Sequence, residues 1–139
     1  MDIEQTKEAV KKEEGYRLET YKCTEGHLTG GYGHKMLEGE VPPTDHAGWL
    51  KIFERDFAKA MTGAEELLML CPNIHETARH IVVEMVYQMG AYGVSRFKKF
   101  LQALQDSDYK EASVQMLDSR WAKQTPNRAN RMSERMANI

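Results

Sequence analysis

Glu14, Cys23, Thr29, His27 and His34 fall within one stretch, EGYRLETYKCTEGHLTGGYGHK, which covers residues 14–35 and carries five glycines. A carboxyl, a thiol, a hydroxyl and imidazoles are the groups that move protons or attack electrophilic carbon. Residues 2–14 read as a helix, with Ile3 and Val10 seven apart on one face and Gly15 as a C-cap. One more turn along that face reaches Glu14. A helix C-terminus disfavours negative charge, so this carboxyl is expected to keep its proton above the ordinary carboxylate range. That property suits a general acid; an exposed terminal Glu is the bland alternative. Cys23 offers a nucleophile or, as thiolate, a base, and an ionised Glu14 nearby is expected to push the thiol's pKa up. Pairing of Cys23 with His27 or His34 would describe a thiol hydrolase instead.

After Gly15 the period shortens towards two: Tyr16, Leu18 and Thr20 alternate with Arg17, Glu19 and Tyr21, and Gly26, Gly30, Gly31 and Gly33 punctuate the rest of the stretch. Short antiparallel strands are expected, with glycines serving turns or the close approach of a ligand. Pro42 and Pro43 end this region, and Thr44 can cap the next helix. From there the chain reads as helix after helix. Trp49, Ile52, Phe53, Phe57 and Met61 share one apolar face. After CPN at 71–73, Asn73 and Glu76 have capping-box spacing for a helix whose stripe runs from Ala78 to Met89 and which Gly90 ends. Ser95 is placed to cap a helix carrying Phe97, Phe100, Leu101 and Leu104, Asp108 with Glu111 to open another, and Thr125 with Pro126 to begin the last. The fold class expected is α+β: residues 1–43 as a helix plus a small β lobe, and 44–139 as a helical lobe, with a ligand cleft between them.

The chain has 139 residues and a net charge of −2, from 19 basic and 21 acidic side chains. This length suits a single packed unit, and the charge gives no general attraction to nucleic acid or membrane. No apolar run approaches the ~18 residues of a spanning helix, and MDIEQTKEAVKK lacks the apolar region of a secretory signal. Cys23 and Cys71 show neither a disulfide framework nor zinc-ribbon spacing. No metal, cofactor, nucleic acid or stable membrane association is expected, and the protein is expected to be a monomer. Between Ser119 and Ile139, Arg120, Lys123, Arg128, Arg131 and Arg135 face a lone acid, Glu134. This is a surface for an anionic polymer or an ordinary solvated helix face.

The hairpin residues 14–34 resemble the active-site hairpin of the phage-type lysozymes, a glycoside hydrolase family of endolysins. There a Glu is followed after eight residues by Asp and after five more by Thr; here that spacing falls on Glu14, Cys23 and Thr29. VEMVYQMGAYGVSRFKKFL and EASVQMLDSRWAKQTPNR, within 83–128, resemble the family's buried helix and its SRW and QTPNR signatures. The resemblance implies a lysozyme-like fold. It also implies a muramidase that cuts the β-1,4 bond between N-acetylmuramic acid and N-acetylglucosamine in bacterial peptidoglycan and so lyses the host. Glu14 is then the general acid, with Cys23 and Thr29 in the base and water-positioning roles. Cysteine in place of the family's Asp is the main departure: either it substitutes as base or nucleophile, or the chain is an impaired lysozyme-fold protein that binds cell wall or belongs to a virion. Register transfers saccharide contacts to Lys35, Tyr87, Phe100 and Gln115, with Gln88 beside them. His34 is implied to pair with Asp56 as a structural salt bridge, and Arg128 to approach Glu14, where its cation favours the ionised carboxylate and opposes the effect of the helix end, leaving the net direction for Glu14 open. A phage-encoded protein held in the host cytoplasm until a holin releases it is the expected setting.

Overall fold

The computed structural model describes residues 2–139. Among them it contains seven helices and one three-stranded antiparallel sheet, an α+β fold. The chain divides into two compact units, Ile3–Lys59 and 60–139 with Asp2. Among the described residues no helix is long and apolar enough to cross a membrane.

The first unit opens with α1 (Ile3–Glu14), closed by Gly15, whose amide donates to the Lys11 carbonyl at 2.9 Å and whose φ of +69° is the left-handed C-cap conformation. The buried stripe of α1 is Thr6 and Val10; Ile3, expected inside, lies 42% exposed in the first turn. Strands β1 (Arg17–Lys22), β2 (Leu28–Gly31) and β3 (His34–Lys35) pair in sequence order. The period-two alternation in β1 does not become a buried face: a bulge between Arg17 and Tyr21 breaks the register, and Tyr16 and Leu18 stay exposed.

Helix α2 (His46–Leu67) begins at Asp45, not Thr44: the Asp45 carboxylate accepts from the Gly48 amide at 2.8 Å, the bond an N-cap makes. Trp49 is 1% exposed and donates its indole N–H to the Leu18 carbonyl, at 2.8 Å, inside the bulge. Its ring fills the space over two strand glycines. A Cβ at Gly30 would stand 2.5 Å from the indole and one at Gly31 2.4 Å, so here the glycines admit a tryptophan rather than a ligand. Gly31 also has φ +58°. Gly31→Ala is therefore expected to lower unfolding free energy by about 2–4 kcal/mol, from overpacking added to left-handed strain, measurable by urea denaturation.

In the second unit, α3 (Glu76–Ser95) supplies Ala78, Ile81, Val82, Val83, Met85 and Val86 to the core. Its cap is His75, whose Nδ1 accepts from the Thr77 amide at 3.1 Å, in place of the expected Asn73. Gly90 does break the helix, with φ +81°, but helical geometry resumes as far as Ser95. Ser95 consequently ends α3, donating to the Tyr92 carbonyl, and does not cap α4 (Lys98–Gln105). Asp108 caps α5 (Tyr109–Leu117) through the Glu111 amide, as expected. Ser119 caps α6 (Arg120–Gln124), a short helix with no clear period in the sequence. Helix α7 (Pro126–Ala137) starts on its proline, while the Thr125 hydroxyl turns back to the Trp121 carbonyl. α7 packs against α3, α5 and α6. The basic run near the C-terminus is not one free face: Arg128 is buried, and Arg135 reaches the buried Glu84 at 2.9 Å.

Candidate active site

Glu14 is half-buried at the last position of α1. Its carboxyl rests on the turn between β2 and β3: a Cβ at Gly33 would lie 2.9 Å from Oε2 and 3.2 Å from Cδ. Gly33, at φ +74°, therefore meets two demands at once, a left-handed turn and room for the carboxyl. The helix end delivers the acid and the hairpin supplies the surface beneath it.

Cys23 is half-exposed where β1 turns towards β2. The turn is closed by the Cys23 amide donating to His27 O and the Gly26 amide to Cys23 O, both at 2.8 Å. The thiol is shifted down, opposite to the expected direction. The backbone amide of Glu25 is the main cause, helped by the His27 amide and the Thr29 hydroxyl, and opposed by burial and by the Glu25 carboxylate. The charge that works against the thiolate is thus the turn's own Glu25, and the turn's amides outweigh it. Thr29 is buried at 4% exposure; its hydroxyl also lies 3.1 Å from the His27 carbonyl, and with one proton it serves sulfur or carbonyl at any moment. Across the sheet Thr29 pairs with Lys35, whose Nζ lies 3.8 Å from Glu25. Cys23, Glu25, Thr29 and Lys35 thus form one cluster.

His34 is nearly buried between two carboxylates: Nδ1 lies 2.6 Å from Asp56 on α2, and Nε2 lies 2.8 Å from Glu40. The ring is fully engaged and offers no nitrogen to the thiol, which removes His34 from a thiol–imidazole dyad. Sequence reasoning missed Glu40. Its Oε1 also accepts from the Leu37 amide at 3.0 Å, and Arg55 approaches Oε2 at 3.4 Å. The Leu37 amide first, then His34, hold the Glu40 carboxyl below its usual range. Its stabilising contribution is therefore present above that usual range and is lost as pH falls through the lowered value. A Glu in the turn-rich LEGEVPP carries no periodic signal that would single it out.

An aromatic cluster in the same unit is likewise invisible in the spacing of its members. Tyr16 and Tyr32 have ring centroids 5.1 Å apart, the Tyr32 hydroxyl meets His46 Nε2 at 2.8 Å, and Lys11 lies 5.0 Å above Phe53. Partial desolvation of the otherwise exposed ring, then Tyr32 and Asp45, raise the Tyr16 phenol.

In the helical unit Tyr87 and Gln88 are half-buried on α3, and the Gln88 side-chain oxygen accepts from the Trp121 indole at 2.8 Å. Phe100 is 1% exposed, so its ring has almost no surface to offer a saccharide. Gln115 is half-buried and donates to Glu111 at 2.8 Å.

A family profile described as "Phage lysozyme" matches residues 11–138. "Probable T4-type lysozyme 2" of Dictyostelium discoideum is 32% identical over 156 residues, covering 94% of this chain and 92% of that protein. "Pre-baseplate central spike protein Gp5" of Enterobacteria phage T4 is 27% identical over 153 residues, 91% of this chain but 26% of that protein. "Peptidoglycan hydrolase gp36" of Pseudomonas phage phiKMV is 28% identical over 130 residues, 89% of this chain and 14% of that protein. The profile spans nearly the whole chain and the Dictyostelium relative is similar over 94% of it, so the chain belongs to the phage lysozyme family and is a glycoside hydrolase of the lysozyme type.

Proposed function

We propose that this lysozyme is a muramidase that hydrolyses the β-1,4 bond from N-acetylmuramic acid to N-acetylglucosamine, and that wall cleavage of this kind lyses a phage's host. The carrying observation is the Glu14 carboxyl, half-buried at a helix C-terminus and resting on Gly33. Glu14 donates its proton to the glycosidic oxygen as the bond to C1 of the muramic acid breaks. Water adds to C1 and gives its proton to the Cys23 thiolate, which the Glu25 and His27 amides and the Thr29 hydroxyl stabilise. Thr29 orients that water when its proton is not on the sulfur. Lys35 in the first unit, and Tyr87, Gln88 and Gln115 in the second, each carry polar groups suited to glycan contacts; the Phe100 ring belongs to the core of the helical unit.

Digestion of purified peptidoglycan, followed by mass spectrometry, tests the reading. New reducing N-acetylmuramic acid ends are expected. New amino termini without reducing ends would replace muramidase with a peptide or amide hydrolase, and new reducing N-acetylglucosamine ends would move the cut to the other glycosidic bond.

A further inference from the structure

Strand β3 is two residues long, His34–Lys35, and it comes directly after Gly33, the residue under the Glu14 carboxyl. So short a strand holds itself weakly. Its backbone ties to β2 are the Thr29↔Lys35 and Gly30↔His34 pairs and the Met36 amide donating to Leu28 O at 2.8 Å. Besides the exposed Lys35–Glu25 pair, its side-chain tie is His34, gripped from one side by Asp56, which sits on a 22-residue helix, and from the other by Glu40, which sits on a loop. Glu40 is itself anchored: its backbone amide donates to the Leu37 carbonyl at 3.0 Å while its carboxylate takes the Leu37 amide and the Arg55 guanidinium. One carboxylate thus folds the 37–40 turn and fixes that turn to the strand that begins at the acid's resting surface.

We propose that Glu40 is a positioning residue for the hydrolytic site: it completes a two-carboxylate clamp on His34 that sets Gly33, and through it the Glu14 carboxyl, in place. The inference rests on Glu14 being the general acid. With Asp56 alone, His34 keeps one anchor and can pivot about it, and the two-residue strand moves with it. A general acid displaced by a fraction of an ångström protonates the leaving oxygen poorly while glycan binding is little changed, so the loss belongs in kcat.

The test compares Glu40→Ala and Glu40→Gln with wild type on soluble, uncross-linked peptidoglycan strands, below each variant's unfolding midpoint. Glu40→Ala is expected to lower kcat about tenfold with KM within about twofold. Glu40→Gln keeps an acceptor oxygen for His34 and the Leu37 amide, and is expected to recover at least half of that loss on a logarithmic scale. Hydrogen exchange at the Met36 amide gives a readout independent of catalysis: it is expected to quicken about tenfold in the Ala variant and to stay near wild type in the Gln variant. If the Ala variant does not fold, Glu40→Asp replaces it; the shorter side chain retains charge but not reach, and is expected to be slower than Gln. Unchanged kcat in Glu40→Ala, unchanged Met36 exchange, or a Gln variant as impaired as Ala or Asp would overturn the proposal. Glu14→Gln, run alongside, separates the two readings: its activity reports on the general acid, whereas Met36 exchange reports on the clamp whatever Glu14 does.

Discussion

Glu14→Gln is expected to reduce cleavage of peptidoglycan roughly a thousandfold, about 4 kcal/mol of barrier, while the protein stays folded. Gln fills the same space over Gly33 and keeps the hydrogen-bonding outline of the carboxyl, so the contact that defines its place is retained. It lacks a proton of suitable acidity for a departing sugar oxygen. Ala would be a poorer test, because emptying the space over Gly33 frees a turn held at φ +74° and mixes structural loss with chemical loss. The measurement is reducing-end release under saturating substrate, with thermal unfolding as the control. A Gln variant within tenfold of wild type would remove Glu14 from the acid role.

How far the sequence reached depended on whether a feature is written along the chain or assembled across it. Helix α1, its glycine cap and the carboxyl at its end come from local period and turn chemistry, and the structure has them. The aromatic face of α2 is equally legible, with Trp49, Phe53 and Phe57 all buried. The surface that this face meets is not: no spacing rule says that Trp49 lies on Gly30 and Gly31, so those glycines are equally compatible with room for a ligand. Caps shifted by one or two residues, from Thr44 to Asp45 and from Asn73 to His75, because neighbouring polar residues compete for the same amides and tertiary packing decides the winner. Cys23 is the sharpest case. The direction of its shift depends on where three donors within six residues point, and residue types alone supply only the nearby negative charges. Glu40 marks the opposite limit, a turn residue whose importance appears only once His34 is seen between two carboxylates.

Alkylation of Cys23 is expected to abolish wall cleavage, Cys23→Ser to lower it by about a hundredfold or more, and Cys23→Asp to retain activity. A hydroxyl in the turn stays protonated at any working pH and offers no base, whereas a carboxylate is ionised there and meets the same amides of Glu25 and His27. Because those donors lower the thiol, iodoacetamide labelling of Cys23 is expected to show a midpoint at lower pH than that of cysteine in an unstructured peptide, with the buried Cys71 lagging since burial raises its thiol. Thr29→Val removes one of the donors and an orienting hydroxyl together. It is expected to move the labelling midpoint upward and to cut kcat, coupling the two measurements in one variant. If Cys23, fully labelled by mass, leaves cleavage intact, the thiol is a bystander; if Cys23→Asp is dead while the fold survives, sulfur contributes as a nucleophile in a way a carboxylate in this turn does not reproduce. Between these outcomes, an active Asp variant with a silent alkylated enzyme is the pattern a general base at this position requires, because it demands only an ionised acceptor held by the turn amides and is indifferent to whether that acceptor is oxygen or sulfur.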